Sequence, residues 1–150
     1  LKIYSADLKG RMIIGANPLF LNMEIALLVG RILFGGFFVM NGLNHFARGR
    51  MLRDYAAMKK VPMPGLAVAL TGLLLLFGGA GILAGAYMRW AVAALAVFLI
   101  LVSFKMHDFW KIQDPMARMG ERISFEKNMA LAAAALITIA ISTPWIYSAF

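Results

Sequence analysis

Residues 66–86 read LAVALTGLLLLFGGAGILAGA, an uncharged apolar run that decides the fold class of the chain. An α-helix rises 1.5 Å per residue, so about 20 apolar residues cross the roughly 30 Å hydrocarbon core of a bilayer. The whole chain is 62% hydrophobic over 150 residues, and its mean hydropathy is +0.79, which is too apolar for a soluble domain of that size. The run therefore predicts a membrane-spanning helix, and the composition predicts an integral membrane protein embedded in the lipid bilayer.

Three other apolar stretches flank this run and predict further crossings. They are residues 21–46, 90–106 and 123–146. Together the four stretches predict a single membrane domain over residues 1–150, an all-α integral membrane four-helix bundle. The fourth helix is expected to begin outside the bilayer, because Asp114-Pro115 is typical of an N-cap followed by the first helical residue and the apolar pattern starts only at Met129.

The segment between the first two spans carries a shorter amphipathic pattern. Apolar side chains at Leu52, Tyr55 and Met58 stand among basic residues, which predicts a helix lying on the membrane surface until Pro62 and Pro64 end it. Short interfacial segments of this kind complete the predicted fold.

Positive charge is spread unevenly over the predicted loops. The chain has 15 Lys and Arg residues against 7 Asp and Glu. Ten of the fifteen lie in segments 47–65 and 105–127, four lie on the side of the termini, and Arg31 lies inside the first span. The positive-inside rule therefore predicts that both long loops are cytoplasmic, in a bacterial-type inner (plasma) membrane.

The composition also excludes several classes of function. Cysteine is absent, which excludes disulfides, iron–sulfur clusters and thiolate metal sites. The two histidines show no HxxEH-type spacing, so no metal site is predicted. Nucleic acid is excluded as a partner, because the basic residues are divided among short loops rather than gathered on one soluble face.

Arg31 is the one charge near the centre of the first span. A central arginine costs from about 2.5 to more than 10 kcal/mol in a bilayer, so its guanidinium must reach the interface or find a partner. Glu24 lies seven residues away on the same helix face, which is about 10 Å along the axis and too far for direct contact.

The predicted connectivity brings polar residues from three helix ends to one membrane face. The end of the first span, the end of the third and the start of the fourth meet there, together with both histidines of the chain. Polar groups at membrane depth are functional candidates when they face the bundle interior. With the buried arginine added, the candidate polar site consists of Arg31, Asn41, Asn44, His45, His107, Asp108, Trp110, Glu121, Lys127 and Asn128.

Three interpretations of this polar face remain open. In a structural interpretation, its carboxylates pair with nearby lysines and arginines at an interface where charges cost little. In a second, a pocket binds an amphipathic molecule such as a quinone, and a histidine with an acid handles protons. In a third, His45 and His107 ligate a haem. Haem is disfavoured because both histidines stand at helix ends, and no cofactor is assigned with certainty.

Several segments resemble the DoxX family of small four-helix membrane proteins. They are residues 30–38 (GRILFGGFF), 41–46 (NGLNHF), 61–64 (VPMP), 106–110 (MHDFW), 114–115 (DP) and 125–128 (FEKN), with Arg118 and Glu121. The similarity runs from about Glu24 to Ile139. Many members of the family carry lysine at the position of His45, so a role for His45 would belong to a subgroup.

The resemblance implies a membrane subunit rather than a stand-alone enzyme of defined mechanism. Relatives resemble subunits of thiosulfate:quinone or other quinol-linked oxidoreductases. We therefore expect a subunit of a quinone-linked redox or electron-transfer complex, with other membrane subunits as partners. The alternative is a non-catalytic accessory subunit of a larger respiratory or photosynthetic assembly. A small-solute transporter is weaker, because four helices show no inverted repeat.

Overall fold

The computed structural model describes residues 22–141, together with the backbone of residues 5–6, 12–13 and 18–21. The helices are α1 (Pro18–Ala47), α2 (Gly49–Met58), α3 (Pro64–Ala84), α4 (Met88–Met106) and α5 (Pro115–Thr138). A 3₁₀ turn, Phe109–Lys111, joins α4 to α5, and the short strands β1 (Ser5–Ala6) and β2 (Met12–Ile13) pair antiparallel. The predicted all-α class is confirmed.

Among the described residues, three helical segments are long and apolar enough to cross a bilayer. They are Asn22–Ala47, Pro64–Ala84 and Met88–Lys111, with mean hydropathies of 1.9, 2.3 and 1.9. Their outer faces carry exposed large apolar side chains such as Leu33 and Leu101. Because helices satisfy their own backbone hydrogen bonds, such faces are stable in hydrocarbon. The chain is therefore a multi-pass membrane protein.

The fourth predicted span differs from its prediction at one end. α5 begins as expected, since the Asp114 side chain accepts a hydrogen bond from the Ala117 amide at 2.7 Å. The apolar pattern predicts a span to residue 146, but α5 ends at Thr138. The next amides, up to Ile141, bond three residues back, which tightens the chain out of the α-helix. Residues 142–146 lie outside the described residues, so a fourth crossing stays a prediction.

The helices pack in a row, with α1 against α3, α3 against α4 and α4 against α5. Their shared core is formed by fully buried apolar side chains, among them Phe38, Leu75 and Leu95. Glycines allow close approach: a Cβ added to Gly35 would lie 2.8 Å from the Gly79 carbonyl oxygen. Close backbone approach drives helix association in lipid, where burial of apolar surface contributes little.

The buried arginine finds its partners at the end of α3. Arg31 is 3% exposed, its Nε donates to the Ile82 carbonyl at 3.1 Å, and its Nη2 donates to the Leu83 carbonyl at 2.6 Å. The last carbonyls of a helix lack partners within it and carry the negative end of the helix dipole. Arg31 therefore joins α1 to the C-terminus of α3, which meets the expectation that its guanidinium needs a partner.

The two ends of the helix row differ in construction. At the turn end, α3 passes to α4 through Gly85 and Tyr87, both with left-handed backbone (φ 66° and 51°). Gly85 therefore caps the C-terminus of α3. The opposite end, the polar end, contains the end of α1, all of α2, the end of α4, the 3₁₀ turn and the start of α5. There α2 confirms the predicted amphipathic helix and packs on α3.

Candidate functional site

Six side chains at the polar end form one connected group, here called the polar cluster. They are Tyr55, Lys59, His107, Asp108, Lys111 and Glu121. Two come from α2 and its C-cap, two from the residues between α4 and the 3₁₀ turn, one from that turn and one from α5. The group therefore joins elements that are far apart in the sequence, as the predicted connectivity required.

His107 and Glu121 form the shortest contact in the polar cluster. The His107 Nδ1 lies 2.6 Å from Oε2 of Glu121, and both side chains are about one-fifth exposed. A carboxylate can only accept, so Nδ1 carries the hydrogen and donates it. In the neutral ring the Nε2 atom is then left with its lone pair, and the carboxylate stabilises the ring if a proton is added there.

The second oxygen of Glu121 is shared between two groups of α2. The Tyr55 hydroxyl donates to Glu121 Oε1 at 3.3 Å, and the Lys59 ammonium lies 3.8 Å from the same oxygen. Lys59 also donates to Asp108 Oδ1 at 3.0 Å, while Lys111 lies 3.0 Å from Asp108 Oδ2. Two lysines thus face two carboxylates, and a proton added to His107 gives the polar cluster a net positive charge.

Burial and neighbouring charges shift the acidity of both α2 groups. Burial raises the pKa of the Tyr55 phenol above its ordinary 10.0, and the charge of Glu121 raises it further. Burial lowers the pKa of Lys59. The hydrogen bond to Asp108 and the charges of Tyr55 and Glu121 raise it by more, so the pKa lies above its ordinary 10.5. Both groups therefore stay protonated through the neutral pH range.

An apolar cavity lies beside the polar cluster, and two residues of the cluster form part of its wall. Its volume is about 340 Å³, and Tyr55 and His107 line both features. The walls are mostly apolar, with Leu52 from α2, Val68 from α3 and Phe98 from α4. A mostly apolar pocket with a few convergent polar groups is typical of a site for a small amphipathic molecule.

His45 lines the same cavity from α1. Its Nδ1 lies 2.9 Å from the Asn41 carbonyl oxygen, and its ring packs edge-on against Phe98 with centroids 5.9 Å apart. A carbonyl can only accept, so Nδ1 donates and the Nε2 atom of the neutral ring keeps its lone pair. Both histidines of the chain are thus anchored through Nδ1 at one cavity.

An aromatic group packs beside the polar cluster. Phe125 of α5 meets Phe104, Phe109 and Trp110, with ring centroids 5.2, 5.6 and 5.9 Å apart. Edge-on aromatic pairs of this kind are stabilising beyond the area that they bury. Trp110 therefore holds the 3₁₀ turn against α5, which fixes the segment that carries Asp108 and Lys111.

The structure brings some of the predicted site residues together and separates others. His45 and His107 share the cavity, and Asp108 and Glu121 belong to the polar cluster. The other six predicted residues take no part in the described contacts of the polar cluster. They are Arg31, which lies at the turn end; Asn41, whose side chain donates to Phe37 of its own helix; the exposed Asn44 and Lys127; Trp110, in the aromatic group; and Asn128, which is buried.

Sequence reasoning missed Tyr55 and Lys59 as members of the site. Both lie in the basic segment that was interpreted as a surface helix, and nothing in its composition separates Lys59 from the other cations. The signal that could have found them is their spacing. Residues four apart share a helix face, so the side of α2 that carries Tyr55 toward the bundle must carry Lys59 too.

The described residues contain no group of three or more His, Asp or Glu side chains arranged to hold a metal ion. The prediction that no metal site is present stays a prediction, as does the one against haem. The site can therefore be described from its own side chains: two imidazoles, a phenol and an ammonium–carboxylate network beside an apolar cavity.

These features define a small multi-pass membrane protein with a polar site at one end of its helices. A model of the DoxX family matches residues 26–108, which is more than half of the chain. The protein belongs to the DoxX family, and the predicted resemblance is confirmed. The match contains both histidines and Lys59 but ends at Asp108, so Glu121 lies beyond it. Comparison with curated proteins and with solved structures gave no match.

Proposed function

We propose that this protein is a membrane subunit of a redox or electron-transfer complex that binds a quinone in the polar-end cavity. The observation that carries the proposal is the meeting of an apolar cavity with a histidine–carboxylate pair, His107 and Glu121. Membership of the DoxX family supports the same choice, because the family is often associated with redox or quinone-related roles. Electrons would be exchanged with a partner subunit.

The cavity suits a quinone in size and in chemistry. Its volume of about 340 Å³ lies at the lower end of the range of roughly 300–1,000 Å³ for small-molecule sites. Leu52, Val68 and Phe98 offer apolar contacts to a ring and its substituents. A bound quinone supplies electron and proton chemistry at its two oxygens. The residues of this chain that could meet those oxygens are His45, Tyr55 and His107.

In this proposal His107 is the group that exchanges a proton with the ligand. Its Nε2 atom accepts a proton when the ring is neutral, and the Glu121 carboxylate on Nδ1 stabilises the charged ring that results. Lys59 and Tyr55 hold Glu121 in place, so they act as positioning residues. Lipid around the helices and the apolar walls keep bulk water away from the exchange.

The test is quinone binding by the purified protein in lipid nanodiscs. A short-chain benzoquinone or naphthoquinone would be titrated by calorimetry against wild type, His107→Gln and Glu121→Gln. We expect both variants to lose at least about tenfold in affinity, corresponding to about 1.4 kcal/mol. Glu126→Gln is the matched control, because Glu126 is exposed and pairs only with Arg122 in the described residues. Unchanged affinity in both test variants, or no binding by the wild type, would contradict the proposal.

A second candidate function, a non-catalytic accessory subunit, is favoured by one observation. Both oxygens of Asp108 form ion pairs, one with Lys59 and the other with Lys111. A carboxylate whose charge is fully paired within the protein favours a structural role. The two candidates separate in the native complex, extracted in mild detergent and identified by native mass spectrometry. If Glu121→Gln leaves assembly intact and lowers quinone reduction, the redox subunit is supported. If assembly and quinone reduction are both unchanged, the accessory role is supported.

A further inference from the structure

The polar end carries a second concave surface that the proposed function does not use. It is an open groove of about 710 Å³ between the end of α1 and α2, here called the α2 groove. Its lining includes Arg48 and Arg50, and its apolar part includes Met51 and Met58, which are 57% and 74% exposed. Exposed methionines beside exposed arginines form an amphipathic surface.

The charge of the α2 groove is mostly positive. Arg48 and Arg50 line it, exposed Arg53 stands on the same helix, and exposed Lys60 follows the helix end. One carboxylate, Asp54, also lines the groove. Among residues 22–141, none of these four cations has a carboxylate within ion-pair distance. The excess of cations favours a ligand that carries an anionic group.

The location of the α2 groove selects the source of that anion. The membrane-capable segment of α1 ends at Ala47, which itself lines the groove, so the groove opens where the chain leaves the hydrocarbon. Lipid phosphates lie at this depth, with glycerol and the first acyl carbons beside them. Arginine binds phosphate oxygens through its planar fork of donors, and exposed methionine adapts to apolar chains.

We propose that the α2 groove binds an anionic phospholipid, with the phosphate at Arg48 and Arg50 and the start of the acyl chains at Met51 and Met58. A zwitterionic lipid fits less well, because Asp54 is the one carboxylate available to its cationic headgroup in the described part of the groove. The proposal does not depend on quinone binding, since the α2 groove and the cavity share only Leu52 and Tyr55.

The test uses the full chain, delipidated in detergent and titrated with lipids of identical acyl chains. Native mass spectrometry would count bound phosphatidylglycerol, phosphatidylethanolamine and phosphatidylcholine. We expect phosphatidylglycerol to be retained preferentially, and raised ionic strength to reduce the preference by screening. Near the membrane surface each basic residue contributes on the order of a fivefold change in affinity for anionic lipid. Arg48→Gln with Arg50→Gln should therefore weaken phosphatidylglycerol binding roughly 25-fold.

The matched control is Arg118→Gln with Arg122→Gln on α5. It removes the same charge from exposed arginines, but it leaves the α2 groove unchanged. We expect the control to bind phosphatidylglycerol like the wild type. Circular dichroism would verify that both double variants fold, and the single variant Arg50→Gln, with an expected loss of about fivefold, serves if the double variant does not.

Three results would overturn the proposal. One is equal retention of the three lipids by the wild type. Another is an equal loss of phosphatidylglycerol in the control and in the α2 groove variant, since that would reflect net charge alone. The third is equal binding of inorganic phosphate and of phosphatidylglycerol in the same titration, because a free anion would then suffice. Quinone affinity would be measured in the same samples, and it should not change with the α2 groove variant.

Discussion

The two ends of the helix row each hold a charged or ionisable side chain near the membrane, but the partners of that side chain differ between the two ends. At the turn end, the guanidinium of Arg31 donates to two backbone carbonyls of α3, and a carbonyl cannot change its protonation state. At the polar end, the ring of His107 donates to the side-chain carboxylate of Glu121, and a carboxylate can take up a proton. The His107 ring also lines a cavity. The comparison teaches that a buried charge indicates a reactive site only where its partner can change protonation state and a cavity beside it can hold a ligand.

This contrast has a consequence for mutagenesis. Substitutions at the turn end should reduce the free energy of unfolding and leave ligand binding unchanged. Substitutions in the polar cluster should weaken ligand binding and should reduce the free energy of unfolding by less. Each of the following variants tests that separation.

The largest expected effect is that of Arg31→Met. It removes the donors of two charge-assisted hydrogen bonds, each worth about 1.5–3 kcal/mol, and it also removes the cost of burying the charge. We expect the free energy of unfolding to fall by about 3 kcal/mol, with quinone affinity unchanged, as measured by dodecyl sulfate titration with circular dichroism and by calorimetry. Arg118→Met, at an exposed position, is the control. Lost quinone binding in folded Arg31→Met would break the comparison.

The next effect concerns the glycine contact between α1 and α3. Gly35→Ala places a Cβ 2.8 Å from the Gly79 carbonyl oxygen, a backbone atom that cannot move aside cheaply. We expect a loss of about 2 kcal/mol in the free energy of unfolding. The neighbour Gly36→Ala is an internal control, because its added Cβ meets nothing within 4 Å and alanine favours the helix. Equal effects of the two alanines in the same titration would contradict the close packing.

A smaller difference should separate the two lysines that face Asp108. Lys59 is 20% exposed and also faces Glu121, whereas Lys111 is 69% exposed. Lys59→Gln should reduce the free energy of unfolding by about 1 kcal/mol and should also weaken quinone binding, because Glu121 loses a group that positions it. Lys111→Gln should cost less than about 0.5 kcal/mol, as exposed pairs do. If the two variants behave alike in unfolding and in calorimetry, the burial of Lys59 does not increase its contribution to stability or to quinone binding.

The smallest expected effect is a loss of stability at alkaline pH. Folding raises the pKa of Lys59 above 10.5, so its contribution is complete below that pH and is lost as the pH rises through the folded value. Folding also raises the pKa of Tyr55 above 10.0, so the unfolded chain ionises first and gains stability above that pH. Both pKa shifts therefore lower the free energy of unfolding as the pH rises above about 10. Unfolding titrations at pH 8 and pH 11 should show the loss.

The Tyr55 shift can be read separately from phenolate absorbance. The difference between wild type and Tyr55→Phe isolates one phenol among the four tyrosines. It should titrate above the pH of a free tyrosine. A Tyr55 signal that titrates at or below about pH 10 would show that the phenol is not held between α2 and Glu121.

Much of the fold was predictable, because composition and run length are strong signals for membrane helices. The meeting of His45, His107 and Glu121 at one end followed from connectivity alone, since antiparallel spans bring alternate helix ends together. The end of α5 was not predictable from its apolar pattern, which continues past Thr138 while the backbone tightens.

The finer arrangement of the site depends on helix rotation, which the sequence pattern of a membrane helix determines poorly. In lipid both faces of a helix are apolar, so periodicity does not show which side of α1 faces inward. His45 turns toward the cavity, while its neighbour Asn44 is exposed. The position of Lys59 depends on how α2 rests on α3, which is set by packing between residues distant in the chain.

The contact of Arg31 with α3 also bears on how the chain is made. Its carbonyl acceptors lie 51 and 52 residues further along the sequence. During synthesis the first helix reaches the insertion machinery well before those acceptors have left the ribosome. An arginine inside a membrane helix raises the free energy of inserting that helix into lipid. The two contacts with α3 lower that cost, so α1 should be more stable in the bilayer once α3 has been inserted beside it.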